Sequence, residues 1–232
     1  MGSRALNTVL AFDVYGTLID TAGVVDKLRE LVGSTAEDFS RTWREKQLEY
    51  SFRRGLMRQY ADFAVCTRDA LEFACARFNA AVTQDDKDAL LGIYRVLPAF
   101  ADVAPSLAAL RDGGTTLYAF SNGSAAAVRT LLQAADISDY FVDVISVEEL
   151  QTFKPNPDVY HHFLKRSGAD RDRAWLISSN AFDVIGAVSA GMCAAWVKRT
   201  EESIFDPWGI EPTVEVASLL EIGDRIAEHY AA

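Results

Sequence analysis

The chain has 232 residues and a formal net charge of −10 at pH 7, with 23 basic and 33 acidic side chains. Half of its residues are hydrophobic and 24% are charged, which is typical of an ordinary globular protein. The acidic balance argues against a general nucleic-acid-binding protein and against a protein that binds anionic membranes. It does not exclude a small anionic substrate, because a few basic side chains can dominate the field inside a cleft.

The N-terminus lacks the long apolar core of a signal peptide, and no run of 18 apolar residues suggests a membrane-spanning helix. The three cysteines, Cys66, Cys75 and Cys193, form no CxxC pair. Their spacing favours free thiols over a metal site or a disulfide framework. We therefore expect a cytoplasmic protein that binds neither membranes nor nucleic acids.

A short apolar run at residues 8–12 ends at Asp13, and Gly16 and Thr17 follow within four residues. Such a run fits a buried strand of a parallel sheet. Parallel sheets place their chemistry just beyond the carboxyl ends of the strands, so Asp13 lies where a reactive carboxylate is expected. The alternative is an ordinary turn-forming Asp after a strand.

From residue 20 to residue 97 the apolar residues recur with helical spacing. Gly33 closes a first helix, and Ser34 with Glu37 resembles a capping box that opens a second. Gly55 interrupts the second pattern, and the fourth ends at Pro98. This segment is predicted to be entirely helical.

After Pro98 short apolar runs alternate with helical patterns, and a last helix is predicted around residues 219–226. The predicted strands lie at residues 115–120, 141–147, 174–177 and 193–197. This alternation predicts right-handed βαβ units and an α/β fold with a doubly wound, Rossmann-like parallel sheet. We expect a core of residues 1–18 and 98–232, with residues 19–97 forming an inserted all-helical cap.

Three of the predicted strands end in polar residues, and these ends should meet at one edge of the sheet. The residues are Asp13, then Ser121 and Asn122, then Ser178 to Asn180 with Asp183. Lys154 lies in a loop that should return to the same edge. A single Ser after a strand is usually a helix N-cap, but carboxylates grouped around a Lys favour shifted pKa values and chemistry.

These residues match, in order, the motifs of the haloacid dehalogenase superfamily. The matching segments are Asp13-Val14-Tyr15-Gly16-Thr17, Ser121-Asn122, Lys154-Pro155 and Ser178-Ser179-Asn180-Ala181-Phe182-Asp183. Residues 43–50, and Lys154-Pro155 followed by Tyr160, resemble the L-2-haloacid dehalogenase branch of that superfamily. The resemblance covers nearly the whole chain and also implies a homodimer.

The resemblance implies a covalent mechanism that needs no cofactor and no metal. Asp13 would attack C2 of a short (S)-2-haloalkanoic acid, expel halide and form an ester with inversion at carbon. Water would then release a 2-hydroxy acid. Lys154 would keep Asp13 ionised, and Asp183 would position or deprotonate the water. The other implied catalytic residues are Thr17, Arg44, Ser178 and Asn180.

The resemblance also assigns contacts to the haloacid and the halide ion. The substrate carboxylate would meet the Ser121 hydroxyl and the backbone amides of Val14, Tyr15 and Asn122. The halide would lie against Arg44, Asn122 and Phe182, where relatives commonly carry Trp in place of Phe182. Residues implied around the alkyl group are Tyr15, Leu48, Phe63 and Tyr160, although helical spacing explains such residues equally well as core.

Tyr15 separates this reading from a Mg²⁺-dependent phosphatase of small phosphomonoesters, which is the main alternative. Phosphatases of the superfamily carry a second Asp at this position and further acids near the fourth motif, where this chain has only Asp183. Mg²⁺ favours carboxylate oxygens, and a departing halide needs no proton. A catalytically silent fold used as a binding module is a second alternative.

Overall fold

The computed structural model describes residues 8–231. Residues 1–7, which begin the predicted core and bear on the signal-peptide expectation, lie outside this range, as does residue 232. The described chain contains one six-stranded sheet in which every neighbouring pair is parallel. Its strands are β1 (Val9–Phe12), β2 (Thr116–Ser121), β3 (Asp143–Ser146), β4 (Ala174–Ser178), β5 (Cys193–Val197) and β6 (Val214–Val216).

The sheet order is β3-β2-β1-β4-β5-β6, so β1 lies near the centre and all four of its residues are buried. Leu10 and Phe12 join one apolar core, whereas Val9 and Ala11 join another on the opposite face. This division follows from the two-residue period of a strand. Burial on both faces explains the uninterrupted apolar run, and the predicted α/β fold class is confirmed.

Nine α-helices lie within residues 8–231. Between β1 and β2 come α1 (Val25–Val32), α2 (Ala36–Leu56), α3 (Phe63–Arg77), α4 (Gln84–Ile93) and α5 (Val103–Asp112). The others are α6 (Ala125–Ala134), α7 (Pro157–Ser167), α8 (Ala181–Ser189) and α9 (Ile222–Ala231). Helices α1 to α4 form the cap, in which α2 packs along α3. No helix in the described range is long and apolar enough to cross a membrane.

The two chain segments that connect cap and core run side by side. The Asp20 amide donates to the Pro98 carbonyl at 2.9 Å, and the Phe100 amide donates to the Leu18 carbonyl at 3.0 Å. Ile19 and Ala99 form an antiparallel bridge between them. The inserted helices therefore leave the core and return to it at one place, next to the end of β1.

Two sequence predictions within the cap are wrong. Residues 33–35 form a 3₁₀ turn, so α2 begins at Ala36 without a side-chain cap, and Glu37 instead accepts 2.6 Å and 3.2 Å bonds from Arg29. Gly55 does not interrupt α2, which continues to Leu56. The Thr152 hydroxyl lies 3.3 Å from where a Cβ on Gly55 would be, so the glycine allows α2 to approach a core loop.

The sixth strand was not predicted from the sequence, which placed the last core strand at residues 193–197. Strand β6 has only three residues, lies at the edge of the sheet and exposes Glu215. Its sequence, Val-Glu-Val, alternates apolar and polar residues, but three residues are too few to identify a strand by this period. All three cysteines are free thiols, as the sequence predicts.

Candidate active site

Asp13 follows β1 directly and is 7% exposed. Its backbone amide donates to the Ile177 carbonyl at 3.0 Å, which prolongs the pairing of β1 with β4 by one residue. The chain then turns sharply, because the amides of Leu18 and Ile19 both donate to the Val14 carbonyl at 3.0 Å. Gly16 has a φ of 85°, a conformation that glycine adopts without steric cost. The turn holds Asp13 at the carboxyl edge of the sheet.

The Lys154 ammonium lies between two carboxylates and is 1% exposed. Its Nζ is 2.7 Å from Asp183 Oδ2 and 3.2 Å from Asp13 Oδ1, and it donates to the Phe120 carbonyl at 2.8 Å. The Lys154 backbone amide donates to Asn122 Oδ1 at 2.9 Å, which ties this loop to the end of β2. A buried charge is tolerated when it is paired and hydrogen-bonded, as it is here.

The two oxygens of Asp13 have different surroundings. Oδ2 accepts hydrogen bonds from three neutral groups, which are Asn180 Nδ2 at 2.7 Å, Thr17 Oγ1 at 2.9 Å and Ser178 Oγ at 3.3 Å. Oδ1 has only the Lys154 ammonium as a hydrogen-bond donor within residues 8–231. The carboxylate is thus fixed in orientation through Oδ2, and lone pairs on Oδ1 remain available.

Asp183 is fully buried at the start of α8. Burial raises the pKa of Asp183 to about 6, the Lys154 ammonium opposes this shift, and the negative charge of Asp13 adds to it. The Tyr160 hydroxyl donates to Asp183 Oδ1 at 2.8 Å. Burial also raises the pKa of Tyr160 well above its usual value, so its hydroxyl keeps its proton.

The hydrogen bond to Asp183 places Tyr160 in the core, and not around the alkyl group of the substrate as the resemblance implies. Its ring is buried in the core beside Phe120, with ring centroids 5.9 Å apart, and its hydroxyl faces Asp183. A Cβ on Gly186 would lie 2.4 Å from the Tyr160 hydroxyl oxygen, so only glycine permits this approach. Tyr160 is therefore a hydrogen-bond donor to Asp183.

The loop after β2 forms the third part of the site. Ser121 and Asn122 are buried, and Ser121 Oγ accepts a 3.1 Å bond from the Gly123 amide. The Ser146 hydroxyl, on the next strand, donates to the Gly123 carbonyl at 2.8 Å and holds the loop in place. Because Asn122 uses its side-chain oxygen to accept from the Lys154 amide, its Nδ2 group remains available as a donor.

Arg44 reaches the site from the cap helix α2. Its Nη2 donates to the Tyr15 carbonyl at 3.2 Å, and its Nη1 donates to Gln47 Oε1 at 2.6 Å. Among residues 8–231, no Asp or Glu forms an ion pair with this half-buried guanidinium. An oriented cation without an acidic partner suits an anion, because the fork of N–H groups is already fixed.

Aromatic side chains from cap and core meet around this region. Phe182 contacts Phe52 edge-on, with ring centroids 5.0 Å apart, and Tyr15 packs beside Phe63 at 6.0 Å. Burial raises the pKa of Tyr15 to about 12, so its phenol stays neutral. Leu48 is half-buried at the same cap–core boundary.

Sequence reasoning named Ser179 without giving it a role and missed Arg199; both residues brace the nucleophile turn. Ser179 donates through Oγ to the Gly16 carbonyl at 2.7 Å, and its amide donates to Thr17 Oγ1 at 2.9 Å. Arg199 donates to the Thr17 carbonyl and binds both oxygens of Asp102 at 2.8 Å and 2.9 Å. Arg199 follows β5, so the rule that functional residues follow parallel strands was a usable signal.

The donor set does not fit the Mg²⁺ ion that a phosphatase of this fold would require. Asp13 and Asp183 each pair with the Lys154 ammonium, which already supplies the positive charge between them. Tyr15 contributes a neutral phenol where a phosphatase would need a second acid to protonate its leaving group. Within the described chain no cluster of three His, Cys, Asp or Glu side chains suits a metal ion.

Comparison with known proteins places the site in a family context. The family model of haloacid dehalogenase-like hydrolases matches residues 8–191. An (S)-2-haloacid dehalogenase of Pseudomonas putida is 34% identical over 215 residues, covering 93% of this chain and 94% of that protein. Another, from Pseudomonas sp. (strain YL), is 36% identical over 210 residues and 90% of each chain.

Solved structures agree with these relatives. The structure of L-2-haloacid dehalogenase from Xanthobacter autotrophicus with chloropropionic acid covalently bound has a TM-score of 0.87 and 29% identity. The alignment covers 95% of this chain and 98% of that one. A second structure, described as a dehalogenase with intermediate complex, has a TM-score of 0.89 and 32% identity over 94% and 96% of the two chains.

Proposed function

Because the chain belongs to the haloacid dehalogenase-like hydrolases and, within them, to the (S)-2-haloacid dehalogenase family, we propose that it hydrolyses carbon–halide bonds. The substrates are short (S)-2-haloalkanoic acids such as haloacetates and 2-halopropionate, and the products are 2-hydroxy acids of inverted configuration. The observation that carries this proposal is the unequal hydrogen bonding of the Asp13 carboxylate beside Lys154.

In the first step Asp13 Oδ1 attacks C2 of the substrate, and the carbon–halogen bond breaks as the carbon–oxygen bond forms. The ammonium of Lys154 lies 3.2 Å from Oδ1 and offsets the negative charge of Asp13, while Thr17 and Asn180 hold Oδ2 so that Oδ1 faces the substrate. A carboxylate is a weak nucleophile in water, and alignment compensates because well-oriented groups reach effective molarities of about 10⁵–10⁸ M.

Arg44 and Asn122 Nδ2 receive the departing halide, with the positive edge of the Phe182 ring as a third contact. The substrate carboxylate binds the Ser121 hydroxyl and the amides of the turn after Asp13. Support for this arrangement comes from the unpaired guanidinium and from the loop between β2 and α6.

In the second step water attacks the ester carbonyl of Asp13, and Asp183 accepts the proton from that water. The negative charge that develops on Oδ2 is stabilised by the donors already bound to it, Ser178, Asn180 and Thr17. Losing one such donor typically lowers the rate by about 10²–10³. Collapse of the intermediate breaks the bond between the Asp13 carbonyl carbon and the substrate oxygen, and the alkoxide takes the proton held by Asp183 and leaves as the 2-hydroxy acid. The regenerated Asp13 carboxyl group then loses its proton to solvent.

The decisive experiment is a single turnover of chloroacetate in ¹⁸O-water with enzyme in excess. The label should enter the Asp13 carboxylate, and the first glycolate should contain unlabelled hydroxyl oxygen. An Asp13→Ala variant serves as the control and should be inactive. Label in the glycolate of the first turnover, or full activity of the variant, would rule out the ester.

Assembly and location are further proposals. We expect a homodimer, and the exposed apolar residues Leu56 and Met57 at the end of α2 are candidates for its interface. Light scattering of the purified protein should give twice the chain mass, and Leu56→Glu should give the monomer. The three free thiols favour a cytoplasmic location, which cell fractionation tests.

A further inference from the structure

A row of buried, hydrogen-bonded polar groups lies between α2 and α3 and ends at Arg44. Gln47 is 1% exposed and Thr67 is 6% exposed. Gln47 Nε2 donates to Thr67 Oγ1 at 2.5 Å, and Thr67 Oγ1 donates to the Phe63 carbonyl at 2.9 Å. Buried polar side chains away from the reacting atoms require an explanation, because they replace apolar packing.

The hydrogen bonds determine which atoms donate and which accept in this row of polar groups. The single hydroxyl proton of Thr67 is used on the Phe63 carbonyl, so its oxygen can only accept from Gln47. That choice orients the Gln47 amide with its nitrogen toward Thr67 and its oxygen toward Arg44. Thr67 on helix α3 therefore determines which group of Gln47 faces the guanidinium.

The groups that accept hydrogen bonds from Arg44 carry no charge. Arg44 is held by two neutral oxygens, Gln47 Oε1 and the Tyr15 carbonyl, which orient it without cancelling its charge. Arg54, ten residues further along the same helix, is instead paired with Asp69 at 2.8 Å. A guanidinium has five N–H groups, so Arg44 keeps several for an anion.

We propose that Gln47 and Thr67 are positioning residues that hold Arg44 in place while leaving its full positive charge for the departing halide. The proposal rests on the proposed function, because it assigns these residues to the halide-leaving step. Gln47 supplies a neutral acceptor at a position where a carboxylate would form an ion pair with Arg44. Thr67 keeps that acceptor from rotating.

The test is Gln47→Glu, which changes one atom and places a carboxylate beside Arg44. We expect ester formation from chloroacetate, measured by rapid quench and mass spectrometry, to fall by about 10²-fold or more. Bromoacetate should lose less, because bromide leaves more readily, so the bromo/chloro rate ratio should rise. Inhibition by added chloride should weaken. Gln133→Glu on the exposed face of α6 is the matched control for the charge change and should leave all three readouts unchanged.

A second pair of variants covers the case in which Gln47→Glu does not fold. Thr67→Val removes the acceptor for Gln47 with little change of shape, and Thr67→Ser retains it. Thr67→Val should raise the bromo/chloro ratio and Thr67→Ser should restore it. A purely structural role would lower the melting temperature and leave the ratio as in the wild type, which would overturn the inference while wild-type dehalogenation still supports the proposed function. A wild-type protein that does not dehalogenate would overturn both.

Discussion

Asp183→Asn should separate the two chemical steps. The substitution keeps the shape and the acceptor for the Tyr160 hydroxyl but removes the charge that takes a proton from water. General-base catalysis typically contributes about 10²–10⁴ in rate, so ester hydrolysis should slow by that factor. Ester formation depends on Asp13 and on Lys154, which lies 3.2 Å from it in the wild type, and should slow much less. The ester on Asp13 should therefore accumulate.

The same assignment predicts how strongly the rate of ester hydrolysis by the wild type depends on pH. With a pKa of about 6, Asp183 is about one-tenth ionised at pH 5 and about nine-tenths ionised at pH 7. Ester hydrolysis should rise close to tenfold over this interval and level off above it. The assay is a quenched-flow time course followed by intact-protein mass spectrometry, with wild type and variant compared at each pH.

The same pKa predicts a difference in stability. Because the folded state raises the pKa of Asp183, it binds this proton more tightly than the unfolded chain does. Stability from this group is therefore present below the usual carboxyl pKa and is lost as the pH rises through about 6. The loss is about 3 kcal/mol for a shift of about two units, and urea unfolding of Asp183→Asn should lack it. An Asp183→Asn protein that accumulates no ester, or a wild-type hydrolysis rate that is flat from pH 5 to pH 7, would refute the assignment.

Three other outcomes follow from the site. Lys154→Met leaves two buried carboxylates without their cation, so urea unfolding should show a loss of about 3–5 kcal/mol and rapid quench should detect no ester on Asp13. Gly186→Ala forces a Cβ to within 2.4 Å of the Tyr160 hydroxyl oxygen and should destabilise the protein by about 1–3 kcal/mol in urea, whereas Gly92→Ala, where no atom lies within 4 Å, should not. Prolonged treatment with a chelator should leave the steady-state rate of halide release unchanged, and a lost rate restored by Mg²⁺ would contradict the metal-free mechanism.

Strand β1 and its neighbours could be predicted because the signal lies in a few consecutive residues of the sequence. A strand buried on both faces must be apolar throughout, and a polar residue at its end stands out, as Asp13 does after Phe12. The parallel topology then brings such ends together, which is why Lys154 and Asp183 could be grouped with Asp13 before any distance was known.

Contacts that depend on packing across the chain were not predictable in the same way. Tyr160 has the helical spacing of a core residue, and only its approach to Gly186 directs its hydroxyl to Asp183. Ser34 and Glu37 have the spacing of a capping box but do not form one, because Arg29 binds Glu37 and the chain is still in a 3₁₀ turn there. Gln47 matches an apolar stripe by position, and its polar role depends on Thr67, twenty residues away.

The side-by-side connections at residues 18–20 and 98–100 have a consequence for how such an enzyme can change. Both ends of the inserted helices meet at one hydrogen-bonded junction, so the length and sequence between them can vary with little cost in loop closure. The core alone carries the nucleophile, its cation and its base, whereas Arg44 comes from the insertion. Exchange of that segment would therefore change the one cation proposed for the halide, while Asp13 and the halide contacts from the core, Asn122 and Phe182, would stay in place.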